Sequence, residues 1–163
     1  MPGASSWSFR EEDLKVITGL MSSLLRETSV RSLILVDRTG QIVANVGEVP
    51  QFDTQAFASL TAADFSANDQ LAKMIGEHEF SSLFHQGEKE SMYLADIARR
   101  VILVALFDNQ TTLGLVRLKV RATVEELTKV FEDMFQRAGT ETPKIEGFGG
   151  QEAEDEIDKL FGD

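Results

Sequence analysis

The sequence predicts a three-layer α/β/α domain of mixed α/β (α+β) class. Its core is a five-stranded, mainly antiparallel sheet, with helices 1 and 3 on one face and helix 2 on the other. Three observations predict it. The run from Val101 to Phe107 is apolar at every position, and only a strand covered on both faces can use that many apolar side chains, which places it at the centre of a sheet. After it, Leu113, Val116, Val120, Val124, Leu127, Phe131 and Met134 recur at spacings of three and four. They form one face of a long helix that ends near Gln136 and covers one side of that strand. The apolar runs are also joined by short polar turns, so neighbouring strands pair as hairpins.

The other elements follow in order. Ser8-Phe-Arg-Glu11 has capping-box spacing, and Leu14, Ile17, Met21, Leu24 and Leu25 continue as helix 1, about Phe9 to Arg26. Leu33–Val36 and Ile42–Ala44 are strands joined through Asp37-Arg-Thr-Gly40, where Asp37 reads as a turn former rather than a catalytic acid. Pro50 and Asp53 break the chain, and Asp53 caps helix 2, about Thr54 to Ile75. Phe80–His85 is short and polar, which suits a sheet edge. Ser91–Ile97 and Val101–Phe107 form a hairpin about Arg99-Arg100. The chain therefore divides into a flexible N-terminus (1–7), one domain (8–137), a linker rich in Gly, Thr and Glu (138–151), and an acidic C-terminal segment (152–163).

Helix 2 is the informative element. Its spacing assigns Phe57, Leu60, Ala63, Ala67, Leu71 and Met74 to the inner face. The outer face then carries Ala58, Ala62, Phe65, Ser66, Asp69 and Ala72, where a solvated helix would be charged. Small residues around one large aromatic allow another backbone to approach closely, so this face is expected to be an interaction surface. The alternative, a helix buried on both sides within one chain, needs a further layer that 163 residues can hardly supply.

Composition narrows the function classes. There is no cysteine, hence no disulfide framework and no thiolate metal site. His78 and His85 lack tight ligand spacing, so no metal is expected. No apolar run approaches the roughly 20 residues that span a bilayer, and the N-terminus lacks a signal-peptide pattern, so a cytoplasmic protein without membrane insertion is expected. The net charge is -11, which repels nucleic acid and anionic lipid and leaves proteins as the expected partners. No phosphate-cradling glycine loop, GxSxG or HExxH occurs. Neither a cofactor nor an active site of the chain's own is expected. Arg99-Arg100 is the single group with catalytic potential, as an arginine offered in trans to a nucleotide; arginines in tight turns are mostly solvated surface.

The end of the chain changes character. From Gly139 to Asp163 there are eight acidic residues and two lysines, a net -6. Within this stretch Ile157, Leu160 and Phe161 stand at i, i+3 and i+4. The segment is either an acidic tail containing three apolar residues by chance or a short helix that docks by one stripe.

The order of elements resembles the roadblock/dynein-light-chain family. The likeness extends to Phe52-Asp-Thr with Ala58-Ser-Leu-Thr61, Leu71-Ala-Lys-Met-Ile-Gly-Glu77, Phe84-His-Gln-Gly87, and Phe107-Asp-Asn-Gln-Thr-Thr-Leu-Gly-Leu-Val-Arg-Leu118. Together with Asp155-Glu-Ile-Asp-Lys-Leu-Phe161, these are similar to the bacterial branch that regulates a Ras-like small GTPase in cell polarity and motility. The resemblance implies a homodimer that binds one GTPase per two protomers and stimulates GTP hydrolysis by remodelling it, without an arginine in trans. It also implies a GTPase-binding and dimer surface at Ala58, Thr61, Ala62, Phe65, Ser66, Asp69 and Gln70, and C-terminal docking through Ile157, Leu160 and Phe161. Phe65 and Gln70 depart from the smaller residues expected of such relatives. The competing reading is a scaffold of the same fold that gathers a GTPase or motor without changing its rate.

Overall fold

The computed structural model describes the chain from Phe9 to Glu141, with side chains as far as Ala138. The elements are α1 (Glu11–Thr28), β1 (Ser32–Asp37), β2 (Ile42–Gly47), α2 (Thr54–Met74), β3 (Ser82–Gln86), β4 (Ser91–Ile97), β5 (Val101–Phe107) and α3 (Leu113–Glu141). The strands form one sheet in the order β2-β1-β5-β4-β3, and all four pairings are antiparallel.

β5 occupies the centre, as its uninterrupted apolar run requires. Its side chains alternate between two cores. Val101, Leu103, Ala105 and Phe107 face α1 and α3, together with Leu33 and Leu35 of β1 and Tyr93, Ala95 and Ile97 of β4. Ile102 and Val104 face α2, beside Ile34, Val36 and Leu94. On the first face, Ile17, Met21 and Leu24 of α1 interlock with Val116, Val120, Leu127, Phe131 and Met134 of α3.

The two helices of this layer run antiparallel. Phe9, just ahead of α1, meets Phe131 edge-to-face at 6.0 Å, and Arg137 near the end of α3 donates to the Asp13 carboxylate at 2.5 Å. That carboxylate also accepts from the Arg10 backbone N–H at 3.2 Å, half of a capping box that begins two residues further along than the Ser8–Glu11 spacing predicts. Ser8 lies outside the described residues. α3 continues beyond Gln136 through Gly139 to Glu141, two residues ahead of Pro143.

β2 and β3 are the sheet edges. β2 ends on Gly47, whose φ of +94° belongs to the left-handed region. A Cβ there would stand 2.5 Å from the Arg31 carbonyl oxygen and 2.9 Å from the Ser32 Cα. Both are backbone atoms and cannot swing aside. Gly47→Ala therefore combines φ strain with a backbone clash, and we expect a loss of about 1–3 kcal/mol. Urea unfolding at pH 7 measures it, and a midpoint equal to the parent's would contradict the close approach.

Candidate functional site

α2 is the element least used by its own domain. Asp53 caps it by accepting from the N–H groups of Gln55 and Ala56 at 3.0 and 3.1 Å. The helix lies over β1 and β2 with Ala58, Thr61, Phe65, Asn68 and Ala72 buried beneath it. The predicted orientation of this helix is thus reversed beyond its first turn; Phe57, half-buried against the core under α2, keeps its expected inward place. Leu60, Leu71 and Met74, assigned inward by spacing, are exposed at 70, 57 and 82%. Ala63 and Ala67 lie with them, so one apolar stripe runs along the solvent side of α2, and Ile75 continues it past the last turn.

The reversal has a physical cause. The side that meets the sheet is built of small residues, which allow close seating: the β1–β2 turn comes so near that a Cβ on Gly40 would lie 3.2 Å from the Ser59 Cα. Phe65 is the single large plug, fully buried between Ala58 and the strands. Of the expected surface residues, then, Ala58, Thr61 and Phe65 are interior. Ala62 and Asp69 are half-buried, and Ser66 and Gln70 are exposed. Ile157, Leu160 and Phe161 lie outside the described residues.

A charged cluster fixes how α2 sits. Arg38, in the β1–β2 turn, donates to Asp69 of α2 at 2.5 Å and to Asp96 of β4, while its guanidinium lies 4.9 Å above the Phe65 ring. Asp96 also accepts from the Arg99 N–H at 3.1 Å, and the Arg38 N–H donates to the Arg100 carbonyl at 3.0 Å. One arginine thereby ties two turns and a helix together. Burial works against its charge, but the hydrogen bonds and charges of Asp96 and Asp69 outweigh this and hold the guanidinium above its ordinary pKa. A raised arginine pKa contributes stability that is complete below the unfolded value, so the clamp stays charged throughout the neutral range.

The turn arginines are also engaged within the chain. Arg99 pairs with Glu79 at 2.9 Å, and Arg100 lies 4.8 Å above the Phe135 ring. His85 on β3 contacts Asp64 of α2 at 2.6 Å, and among the described residues no group of three metal-ligating side chains converges. No described helix is long and apolar enough to cross a membrane. At the opposite end of the sheet, a groove of about 590 Å³ is lined by Val49, Phe52 and Leu106 with Arg31, Glu48 and Glu90. Arg31 pairs with both glutamates, so the polar wall of the groove is satisfied internally.

A three-layer domain with two packed helices behind the sheet and a third helix on its other face has the architecture of the roadblock class. The model of the Roadblock/LC7 domain matches residues 16–107, and the chain belongs to that family. Among solved structures, it is similar to Myxococcus xanthus MglB, with 42% identity, 72% of this chain and 96% of that chain covered, and a TM-score of 0.70. It is also similar to the gliding protein MglB from Thermus thermophilus, with 29% identity, 78 and 97% coverage and a TM-score of 0.73. A structure described as MglB with a tetrameric arrangement matches at 29% identity, 79 and 97% coverage and a TM-score of 0.73. The chain is a roadblock-fold protein of the MglB type.

Sequence spacing alone misses the Arg38 clamp, because its partners Asp69 and Asp96 are 31 and 58 residues away. Arg38→Met removes the cation and leaves two carboxylates facing each other at low exposure, so we expect it to cost about 3–5 kcal/mol. Adding Asp69→Leu to Arg38→Met should recover part of that loss, as read from denaturant midpoints. A double variant as unstable as the sum of its parts would show that the cluster does not act as a unit.

Proposed function

We propose that the chain is a homodimeric activator of a Ras-like small GTPase of the MglA type, which stimulates GTP hydrolysis by remodelling the GTPase. The observation that carries this reading is the exposed stripe of Leu60, Ala63, Ala67, Leu71 and Met74 on α2. Large exposed apolar side chains in line along one helix need a covering partner. The similarity to MglB supports a GTPase as that partner. Two copies meet along α2 and at the β3 edge, which presents unpaired backbone groups, and together they make one platform across a two-fold axis. A single GTPase on that axis uses two copies of one surface, giving two protomers per GTPase.

The chain supplies no chemistry of its own in this scheme. Arg99 and Arg100 are both held by side chains of their own domain, which favours a mechanism without an arginine in trans. Activation is then differential affinity: the platform binds the hydrolysis-ready conformation of the GTPase better and shifts the population toward it. The residues that act are the α2 stripe with Ser66 and Gln70 on its flank, and the C-terminal Ile157, Leu160 and Phe161 add a second grip. The setting is the cytoplasm of a motile bacterium, where the protein contributes to cell polarity.

Single-turnover GTP hydrolysis by an MglA-type GTPase, titrated with this protein, tests the proposal. The rate should rise and saturate at two protomers per GTPase. Ala63→Arg, at the centre of the stripe and away from the core, should reduce the stimulated rate about tenfold or more, the scale of a hot-spot loss, with the fold retained. Binding without acceleration would instead establish a scaffold.

A further inference from the structure

The solvent side of α3 carries a second unpartnered surface of opposite electrostatic character. Between Asn109 and Val124 the chain has three cations, Arg117, Lys119 and Arg121, and no acidic residue, within a protein of net charge -11. Taking the buried Val116, Val120, Leu127 and Phe131 as the inner stripe, 100° per residue sets Leu118 almost directly opposite them. Leu118 is 65% exposed, Leu115 is exposed beside it, and Ala122 lies one turn on. Arg117 and Arg121, four residues apart, border this stripe on its other side, and both are exposed. A leucine at the centre of a solvated helix face, bordered by arginines, matches an acidic helix with apolar anchors.

The chain contains that sequence. Residues 152–163 have six acidic residues and one lysine, with Ile157, Leu160 and Phe161 at i, i+3 and i+4. We propose that this C-terminal segment docks on its own α3, its three apolar residues against Leu115, Leu118 and Ala122, and its carboxylates beside Arg117 and Arg121.

Length permits it. Leu118 lies about 35 Å back along the helix from Glu141 at 1.5 Å per residue. The 15 residues between Glu141 and Ile157 reach about 50 Å when extended. Tethering supplies an effective concentration on the order of 1 mM, so even a contact that is weak between separate chains is populated within one. Charge selects this surface over the others described. The groove at the opposite end of the sheet is lined by Glu48 and Glu90, which already hold Arg31 between them and leave a net negative wall. The α2 stripe is bordered by Asp64 and Glu77, with Lys73 alone as a cation. Docking on α3 also covers the exposed leucines there, and it rests on no assumption about a GTPase.

The cysteine-free chain allows a direct test on the full-length protein. A nitroxide on Glu126→Cys, an exposed site one turn beyond Ala122 and outside the proposed contact, should erase the NMR signals of Ile157, Leu160 and Phe161. It should not do so when the spin-labelled chain lacks isotope and is mixed with isotope-labelled, unmodified chain. Adding Leu118→Glu and Arg121→Glu, both surface changes, should restore the signals while the remaining spectrum reports an intact fold. Loss of signal in the mixed sample would assign the surface to a second copy and overturn docking within one chain. Signals untouched by the label, or still lost in the charge-reversed variant, would overturn the proposal itself.

Discussion

The structure depends on one constraint: β5 must be covered on both faces. Seven consecutive apolar residues cannot be shared between a core and solvent, so the strand takes the centre of the sheet and the chain must supply helices on either side. The two sides are met unequally. α1 and α3 form a thick layer over Val101, Leu103, Ala105 and Phe107, with large side chains from both helices. α2 alone covers the other face, and its cluster with Ile102 and Val104 has only Ala58 and Phe65 as fully buried apolar contributions from the helix. Leu106, the last α2-side residue of β5, is half-buried at the groove beside Phe52.

That thin second layer explains why α2 needs a charged clamp. Small residues let the helix sit low on the sheet, but they bury little area, and area is what holds a helix in place. The Arg38 cluster compensates by geometry rather than by large net stabilisation. A buried ion pair costs nearly as much in desolvation as it returns, yet it permits only one register between Asp69, Asp96 and the turn. Arg38 stacked over Phe65 extends the same logic, since the plug and the cation hold each other. α2 is thereby fixed in rotation, and its apolar outer stripe stays outward although burial of that stripe would otherwise be favoured.

This is also where sequence reasoning and structure part company. Strands, turns, the number and order of the helices and the central place of β5 are legible because each depends on local spacing or on the total number of apolar residues. The facing of α2 is not. Two stripes run along it, and the rule that larger apolar side chains go inside selects the one with Leu60, Leu71 and Met74. The rule fails when a helix has an outward task and a sheet surface that accepts only small residues. Phe65 misleads for the same reason, since one aromatic among alanines resembles a surface anchor until the sheet beneath it is known. Arg38 is invisible in the sequence because its carboxylates come from elements far apart in the chain. On α3 the inner stripe is so regular that Leu115 and Leu118, off that stripe, are masked by it.

The sheet separates two surfaces of different chemistry. The α2 side is apolar with acidic borders, and the first half of α3, as far as Glu125, is apolar on its solvent side with cationic borders. An acidic C-terminal segment therefore has little reason to compete for α2, where repulsion would meet it, and a partner seated on α2 is not displaced by it. The two layers lie on opposite faces, so direct steric conflict is absent. Coupling between them can arise without any change in the sheet if one segment is wanted in both places. A segment shared in this way changes the affinity of each site by no more than the free energy of its docking, and by thermodynamic reciprocity the effect is equal in both directions. Weak docking is then an advantage, because a contact populated near half is the one whose occupancy responds most to a competitor.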